Sequence, residues 1–268
     1  MKEIPINFEN DGKIVGLLRK VKRPKGLVIL VHGFTGTIDG PAGTSWIKLS
    51  KALAKKNFDV YRFNFRFTSP EWKEFHKMTV AGEVSDLKKI LKIFSKKYKK
   101  IGVVGESLGG AVSILALNKS TNCLVLWYPV IDLMKTAIPE RFNTASALKE
   151  LEEKDYVTIE KGSTGEPIRV GKKFIMENVI EIFFTNLYKK LKGISCPVLI
   201  VSPDKDTIVP FWQSEKAIEL FKTKNKDLVK VKNSDHAWWK PGRELRDWDG
   251  EKLAIRKTVD WLNRWLNL

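Results

Sequence analysis

The segment Ile101-Gly102-Val103-Val104-Gly105-Glu106-Ser107-Leu108-Gly109-Gly110-Ala111-Val112-Ser113-Ile114-Leu115 runs from one apolar stretch into another through a serine flanked by glycines. The first stretch predicts a strand buried on both faces and the second a buried helix. Gly105 and Gly109 stand two residues either side of Ser107, which permits a sharp strand-to-helix turn. Such a turn exposes the hydroxyl at the carboxyl edge of a sheet, where the helix N-terminus favours developing negative charge. The bare pattern G-x-S-x-G is common by chance. Its placement between a strand and a helix makes Ser107 a candidate nucleophile.

Outward from this point the chain alternates. Ile4–Glu9 and Lys13–Lys20 read as strands around the turn Asn10-Asp11-Gly12, and 26–31 is a continuous apolar strand. A helix is expected at Ser45–Lys56 with Ser45 as its N-cap, then a strand at Asp59–Phe65, a helix at Val80–Lys97 and strands at Lys100–Val104 and Cys123–Trp127. Leu108–Asn118 is the helix between these two strands. Pro197–Val201 and Leu228–Val231 (strands) with Phe211–Phe221 and Glu251–Asn267 (helices) complete the alternation. The pattern predicts an α/β fold, with a mostly parallel sheet covered by helices on both faces. Roughly 65 residues separate the sixth strand from the next, far more than an ordinary connection. They contain an expected helix at Ser146–Lys154, a hairpin around Gly162-Ser163-Thr164-Gly165, and a helix at Asn178–Lys190. Residues 129–192 therefore read as a cap over a core formed by 1–128 and 193–268.

A serine nucleophile needs a base, and the chain offers His32, His76 and His236. His76 lies in a charged, aromatic stretch and reads as a surface residue. His236 follows the last strand, in a loop that opens at the same sheet edge as Ser107, and is the candidate base. An orienting acid is expected between Ser107 and His236 in the chain. Asp206, in the loop after Pro197–Ser202, is preferred, with Asp204 and Asp132 as alternatives. Val31-His32-Gly33-Phe34-Thr35-Gly36 forms a glycine-rich turn after a buried strand. The backbone N–H groups of Phe34 and Leu108 are candidate oxyanion donors.

These four motifs resemble those of the α/β-hydrolase superfamily, and the resemblance spans nearly the whole chain. The sequence His32-Gly33-Phe34-Thr35-Gly36 and the cap between the sixth and seventh strands are similar to those of small carboxylesterases, including cinnamoyl (feruloyl) esterases. A similar set occurs in serine-aminopeptidase-like and monoacylglycerol-lipase-like hydrolases. One departure is Arg62-Phe63-Asn64-Phe65-Arg66-Phe67-Thr68-Ser69, which stands where such proteins usually show Arg-x-Asp-x-Arg-Gly-x-Gly-x-Ser. The resemblance implies a serine carboxylesterase working through an acyl-enzyme, and an apolar wall in the cap leads to short- to medium-chain or aryl acyl esters as the expected substrates. The other readings are a serine hydrolase of another bond (aminopeptidase, thioesterase or monoacylglycerol lipase) and a non-enzymatic binding protein. The chemistry needs no metal or organic cofactor. The cap aromatics Phe142, Tyr156, Phe174, Phe183, Phe184 and Tyr188 are candidates for an acyl wall, with Phe183 and Phe184 singled out for substrate binding.

Composition narrows the rest. The 268 residues are 43% hydrophobic and include 14 Phe, 9 Trp and 5 Tyr, which excludes collagenous and disordered classes. The formal charge of +17 raises the question of an anionic partner. The lysines are spread along the chain, however. In Val84–Lys100 they fill the polar face of a helix whose apolar stripe is Val84, Leu87, Leu91, Phe94 and Tyr98. No specific nucleic-acid partner is expected; the expected partner is a small-molecule ester, with the chain a monomer or homodimer. Cys123 and Cys196 match no metal spacing and read as small core residues. With no signal-like or membrane-spanning run, a cytoplasmic location is expected. A single glutamine, Gln213, beside many Lys and Glu is in line with a thermophilic source.

Overall fold

A computed structural model describes residues 2–161, 165–179 and 182–267; the side chains of 177–179 and 182–186 lie outside the described set. In chain order the strands are β1 (Glu3–Pro5), β2 (Phe8–Glu9), β3 (Lys13–Arg19), β4 (Leu27–Val31), β5 (Asp59–Asn64), β6 (Ile101–Glu106), β7 (Cys123–Trp127), β8 (Tyr156–Glu160), β9 (Pro167–Gly171), β10 (Val198–Pro203) and β11 (Lys226–Val231). The helices are α1 (Ser45–Ala54), α2 (Val80–Phe94), α3 (Leu108–Ala116), α4 (Ala145–Lys154), α5 (Lys172–Val179), α6 (Ile182–Gly193), α7 (Trp212–Leu220) and α8 (Trp248–Leu266). The main sheet among the described residues runs β1-β3-β5-β4-β6-β7-β10-β11, with β2 paired to β3. Pairs from β5 through β4, β6, β7 and β10 to β11 are parallel, and β3 lies antiparallel on β5. This is the α/β-hydrolase fold.

Alternation along the central strands sorts their side chains between two cores. Leu27, Ile29 and Val31 of β4 face one core, and Val28 and Leu30 face the other. Helices α1 and α8 cover the second core through Trp46, Leu49, Leu53, Ala254, Val259, Leu262 and Leu266. Helices α2, α3 and α7 cover the first, through residues such as Leu87, Ile90, Val112 and Ala217. Lys88, Lys92, Lys96 and Lys97 on or just beyond α2 are exposed, as its stripe requires.

Three expectations are corrected. The N-terminal strand is interrupted at Ile6-Asn7, where the Asn7 side chain accepts the Gly16 N–H at 3.1 Å, so Cys123–Trp127 is the seventh strand in the chain. Ser45 is not the N-cap of α1: the cap is Thr44, and the buried Ser45 hydroxyl lies between the Pro41 carbonyl (2.9 Å) and Glu251 (2.5 Å). The helix expected over Asn178–Lys190 is replaced by α5 and α6, which lie on either side of 180–181, outside the described residues.

The segment between β7 and β10 carries α4, the antiparallel hairpin β8–β9, α5 and α6. Its apolar residues Val157, Ile159, Ile168, Val170 and Phe174 join the same core as the sheet face beneath α2 and α3. Gln213 is fully buried in α7 and ties down the start of this segment. It accepts the N–H groups of Ile131 and Asp132 and donates to the carbonyls of Asp132 and Lys135. Both cysteines are free, and burial pushes the Cys196 thiol up to about 11. No helix among the described residues is long and apolar enough to cross a membrane.

Candidate active site

Parallel pairing puts the carboxyl ends of β4, β6, β10 and β11 on one edge of the sheet, and the singled-out residues emerge there. Ser107 links β6 to α3 with φ 51° and ψ −123°, a left-handed strain that a glycine would relieve and a nucleophile turn requires. Its N–H donates to Trp127 O, and its carbonyl accepts from Gly110 and Val130. The turn is packed too closely to change. A Cβ on Gly109 would overlap the His32 carbonyl oxygen, and one on Gly33 would sit 2.9 Å from the Ser107 Cβ. The His32–Phe34 turn therefore lies directly against Ser107. Leu108 is the first residue of α3, so its N–H has no partner within the helix.

His236 Nδ1 lies 3.1 and 2.9 Å from the two carboxylate oxygens of Asp206, whose side chain is fully buried. Asp206 Oδ1 also accepts the backbone N–H groups of Ile208 (2.9 Å) and Val209 (2.7 Å), which fix the carboxylate before histidine is considered. The alternatives do other things. Asp204 accepts the Asn233 N–H at 2.8 Å and braces the two loops at their base. Asp132 contributes its backbone to Gln213.

His32 is excluded as the base by its contacts. Nδ1 faces the Gly33 carbonyl at 2.9 Å and Nε2 accepts the Phe65 N–H at 3.3 Å, a pair that one neutral tautomer satisfies. His76 is half-buried rather than free at the surface, its ring 6.5 Å from that of Tyr156 in the hairpin. Phe174 is fully buried and stacks on Phe34 at 5.1 Å, so the inserted segment reaches the candidate oxyanion turn. Phe142 is buried 6.4 Å from Phe174, and Tyr156 and Tyr188 are half-buried. The side chains of Phe183 and Phe184 lie outside the described residues. At the departure from the family pattern, the Asn64 side chain accepts the Ile38 N–H at 2.6 Å, and Arg62 donates to Ile38 O and pairs with Asp39. The amide and the guanidinium together hold the loop that follows the candidate oxyanion turn.

Four residues at the site carry no motif of their own. The buried Asp235 accepts the His236 N–H at 2.6 Å and both the N–H and hydroxyl of Thr207, fastening the histidine loop to the aspartate loop. Arg246 donates to the Ala237 carbonyl. The Tyr128 ring packs 4.6 Å from the His236 ring. Glu106 is buried beneath it and accepts the Tyr128 hydroxyl.

Burial drives His32 down to about 4 and Glu106 up to about 7. The two have opposite linkage. His32 binds its proton more weakly when folded, so its contribution is present above pH 6.5 and is lost as pH falls through about 4. Glu106 binds its proton more tightly when folded, so its contribution is present below pH 4.5 and is lost as pH rises through about 7. Each swing is about 3 kcal/mol. In Glu106→Gln the second swing disappears. The unfolding free energy of the variant minus that of wild type is expected to rise by about 3 kcal/mol from pH 4.5 to 7, read by urea titration at each pH. A difference that stays flat across this window would contradict the assignment.

Comparison with known proteins agrees with the fold. A family model for the alpha/beta hydrolase fold matches residues 26–127. The thermostable monoacylglycerol lipase of Bacillus sp. (strain H-257) is 24% identical over 220 residues, 78% of this chain and 82% of that protein. Est1E from Butyrivibrio proteoclasticus, solved with ferulic acid bound, superposes with a TM-score of 0.76 at 18% identity, covering 98% of this chain and all of that one. The monoacylglycerol lipase of Paleococcus ferrophilus gives a TM-score of 0.70 at 22% identity, covering 98% and 99%. At these identities the structural likeness establishes the fold.

Proposed function

We propose that this chain, which has the α/β-hydrolase fold, is a serine carboxylesterase. The observation that carries the reading is the His236–Asp206 pair, set on a doubly amide-bound carboxylate at the sheet edge where strained Ser107 emerges. Ser107 attacks the ester carbonyl as its proton passes to His236 Nε2. Asp206, on Nδ1, holds the tautomer that makes this possible and stabilises the imidazolium. The N–H groups of Phe34 and Leu108 receive the oxyanion. His236 returns the proton to the departing alcohol, then activates the water that releases the acid.

Residues 129–192 act as the cap that shapes the acyl pocket. The Phe34–Phe174 stack supports this, because Phe174 belongs to this segment and Phe34 is the proposed oxyanion donor. An apolar wall discriminates by about 1–3 kcal/mol per methylene. Short- to medium-chain or aryl acyl esters are the expected substrates. A second reading, hydrolysis of monoacylglycerols, is favoured by the relatives from Bacillus and Paleococcus. The test is kcat/KM on p-nitrophenyl esters from acetyl to palmitoyl, a feruloyl ester, monoacylglycerols and aminoacyl anilides. The proposal expects the short and aryl esters to lead. A monoacylglycerol maximum at long chain length would favour the second reading, and faster anilide than ester turnover would overturn both.

A further inference from the structure

The variable position inside the serine motif is a buried carboxylate. Glu106 is 5% exposed at the end of β6. One oxygen accepts the Gly33 N–H at 3.2 Å, and the other accepts the Tyr128 hydroxyl at 2.8 Å. Gly33 immediately precedes Phe34, the proposed oxyanion donor. Tyr128 holds a left-handed φ of 36° just beyond β7, with its ring 4.6 Å from His236 and 5.1 Å from Trp238. One carboxylate thus joins the turn on one side of Ser107 to the ring backing the base on the other. A buried acceptor with two donors on two oxygens is satisfied only while both are in place.

We propose that Glu106 is a positioning residue, whose carboxylate locks the Gly33–Phe34 turn and the Tyr128–His236 pair into one geometry around Ser107. The inference rests on the serine-hydrolase reading of the same site. Gly33, Tyr128 and Ser107 lie just beyond the ends of three different strands, and Glu106 is the group that ties the first two together. Its negative charge also favours the imidazolium that forms during reaction. The charged and titratable groups around it are few. The β4 turn presents neutral His32, and the β7 end presents Tyr128. The loops after β10 and β11 present Asp206, His236 and, beyond Tyr128, Arg246. Burial raises the Glu106 carboxyl to about 7, so its loss of charge falls within the working range of a histidine base.

The test compares wild type with Glu106→Gln, Tyr128→Phe and the double variant on one p-nitrophenyl ester, after titrating competent Ser107 with a fluorophosphonate. Glutamine keeps one acceptor of two, and phenylalanine keeps the ring but loses the hydroxyl. Each single variant is expected to lower kcat by about 10- to 100-fold with KM little changed, the effect of misplacing reacting groups by less than an ångström or so. The double variant is expected to lose little more than the worse single variant. Wild-type log kcat/KM should fall more steeply below about pH 7, where Glu106 loses its charge, than that of Glu106→Gln, which lacks this step. Folded single variants with wild-type kcat and an unchanged limb would overturn the inference while leaving Ser107 as nucleophile. If the variants do not fold, Glu106→Asp becomes the measurement, and wild-type kcat with the shorter carboxylate overturns it equally. Absence of phosphonate labelling in wild type would overturn the underlying reading, and the inference with it.

Discussion

Ser107→Ala and His236→Ala are each expected to lower kcat by about 10⁴-fold or more, and the double variant by little beyond the worse of the two. Nucleophile and base act as a unit: without the hydroxyl there is no bond to form, and without the imidazole no group takes its proton. The fold should survive both changes. Ser107 is held by backbone bonds to Trp127, Gly110 and Val130, none of which involves its hydroxyl. Asp206 keeps the amides of Ile208 and Val209 when the histidine ring is gone. Steady-state kinetics with a denaturation midpoint for each variant checks both statements. A tenth of wild-type turnover in either would remove that residue from the reaction.

Asp206→Asn is expected to follow closely, at about 10³- to 10⁴-fold in kcat, whereas Asp204→Asn should stay within a few-fold. Both substitutions keep the size of the side chain, so the contrast isolates what the charge is for. In Asp206 the amide oxygen would stay on the Ile208 and Val209 N–H groups, turning the NH₂ toward His236 Nδ1. Nδ1 must then accept, the proton moves to Nε2, and the ring can no longer take the serine proton. In Asp204 an amide oxygen accepts the Asn233 N–H as well as a carboxylate does. The reverse ranking, measured on the same ester, would transfer the role to Asp204.

What the sequence disclosed follows from how local each signal is. Ser107, His236 and Asp206 each close or follow an apolar strand, and parallel strands bring their carboxyl ends to one edge without further information. The strands themselves were legible because burial on both faces demands continuous apolar runs such as 27–31 and 123–127. Helix ends were less so. The helix expected to Lys97 stops at Phe94, where Lys96 and Lys97 already turn back on the carbonyls of Ile93 and Phe94. The supporting residues were invisible for a different reason. Glu106 acts on Gly33, 73 positions earlier, and Asp235 acts on Thr207, 28 positions earlier. No spacing rule joins them. Gln213 stood out in the sequence only as the sole glutamine, and its buried position shows it to be the anchor of the inserted segment. Phe174 is one of the six cap aromatics but not one of the two singled out in the sequence, Phe183 and Phe184; the stack on Phe34 is what distinguishes it.

The central claim is that Ser107 is the nucleophile, activated by His236. The most direct measurement is to treat the full chain with a fluorophosphonate and map the adduct by peptide mass spectrometry, alongside His236→Ala. The account predicts one adduct per chain, on Ser107, forming at least about a hundredfold more slowly in His236→Ala. An adduct on another residue, or labelling of Ser107 at the same rate without His236, would contradict it.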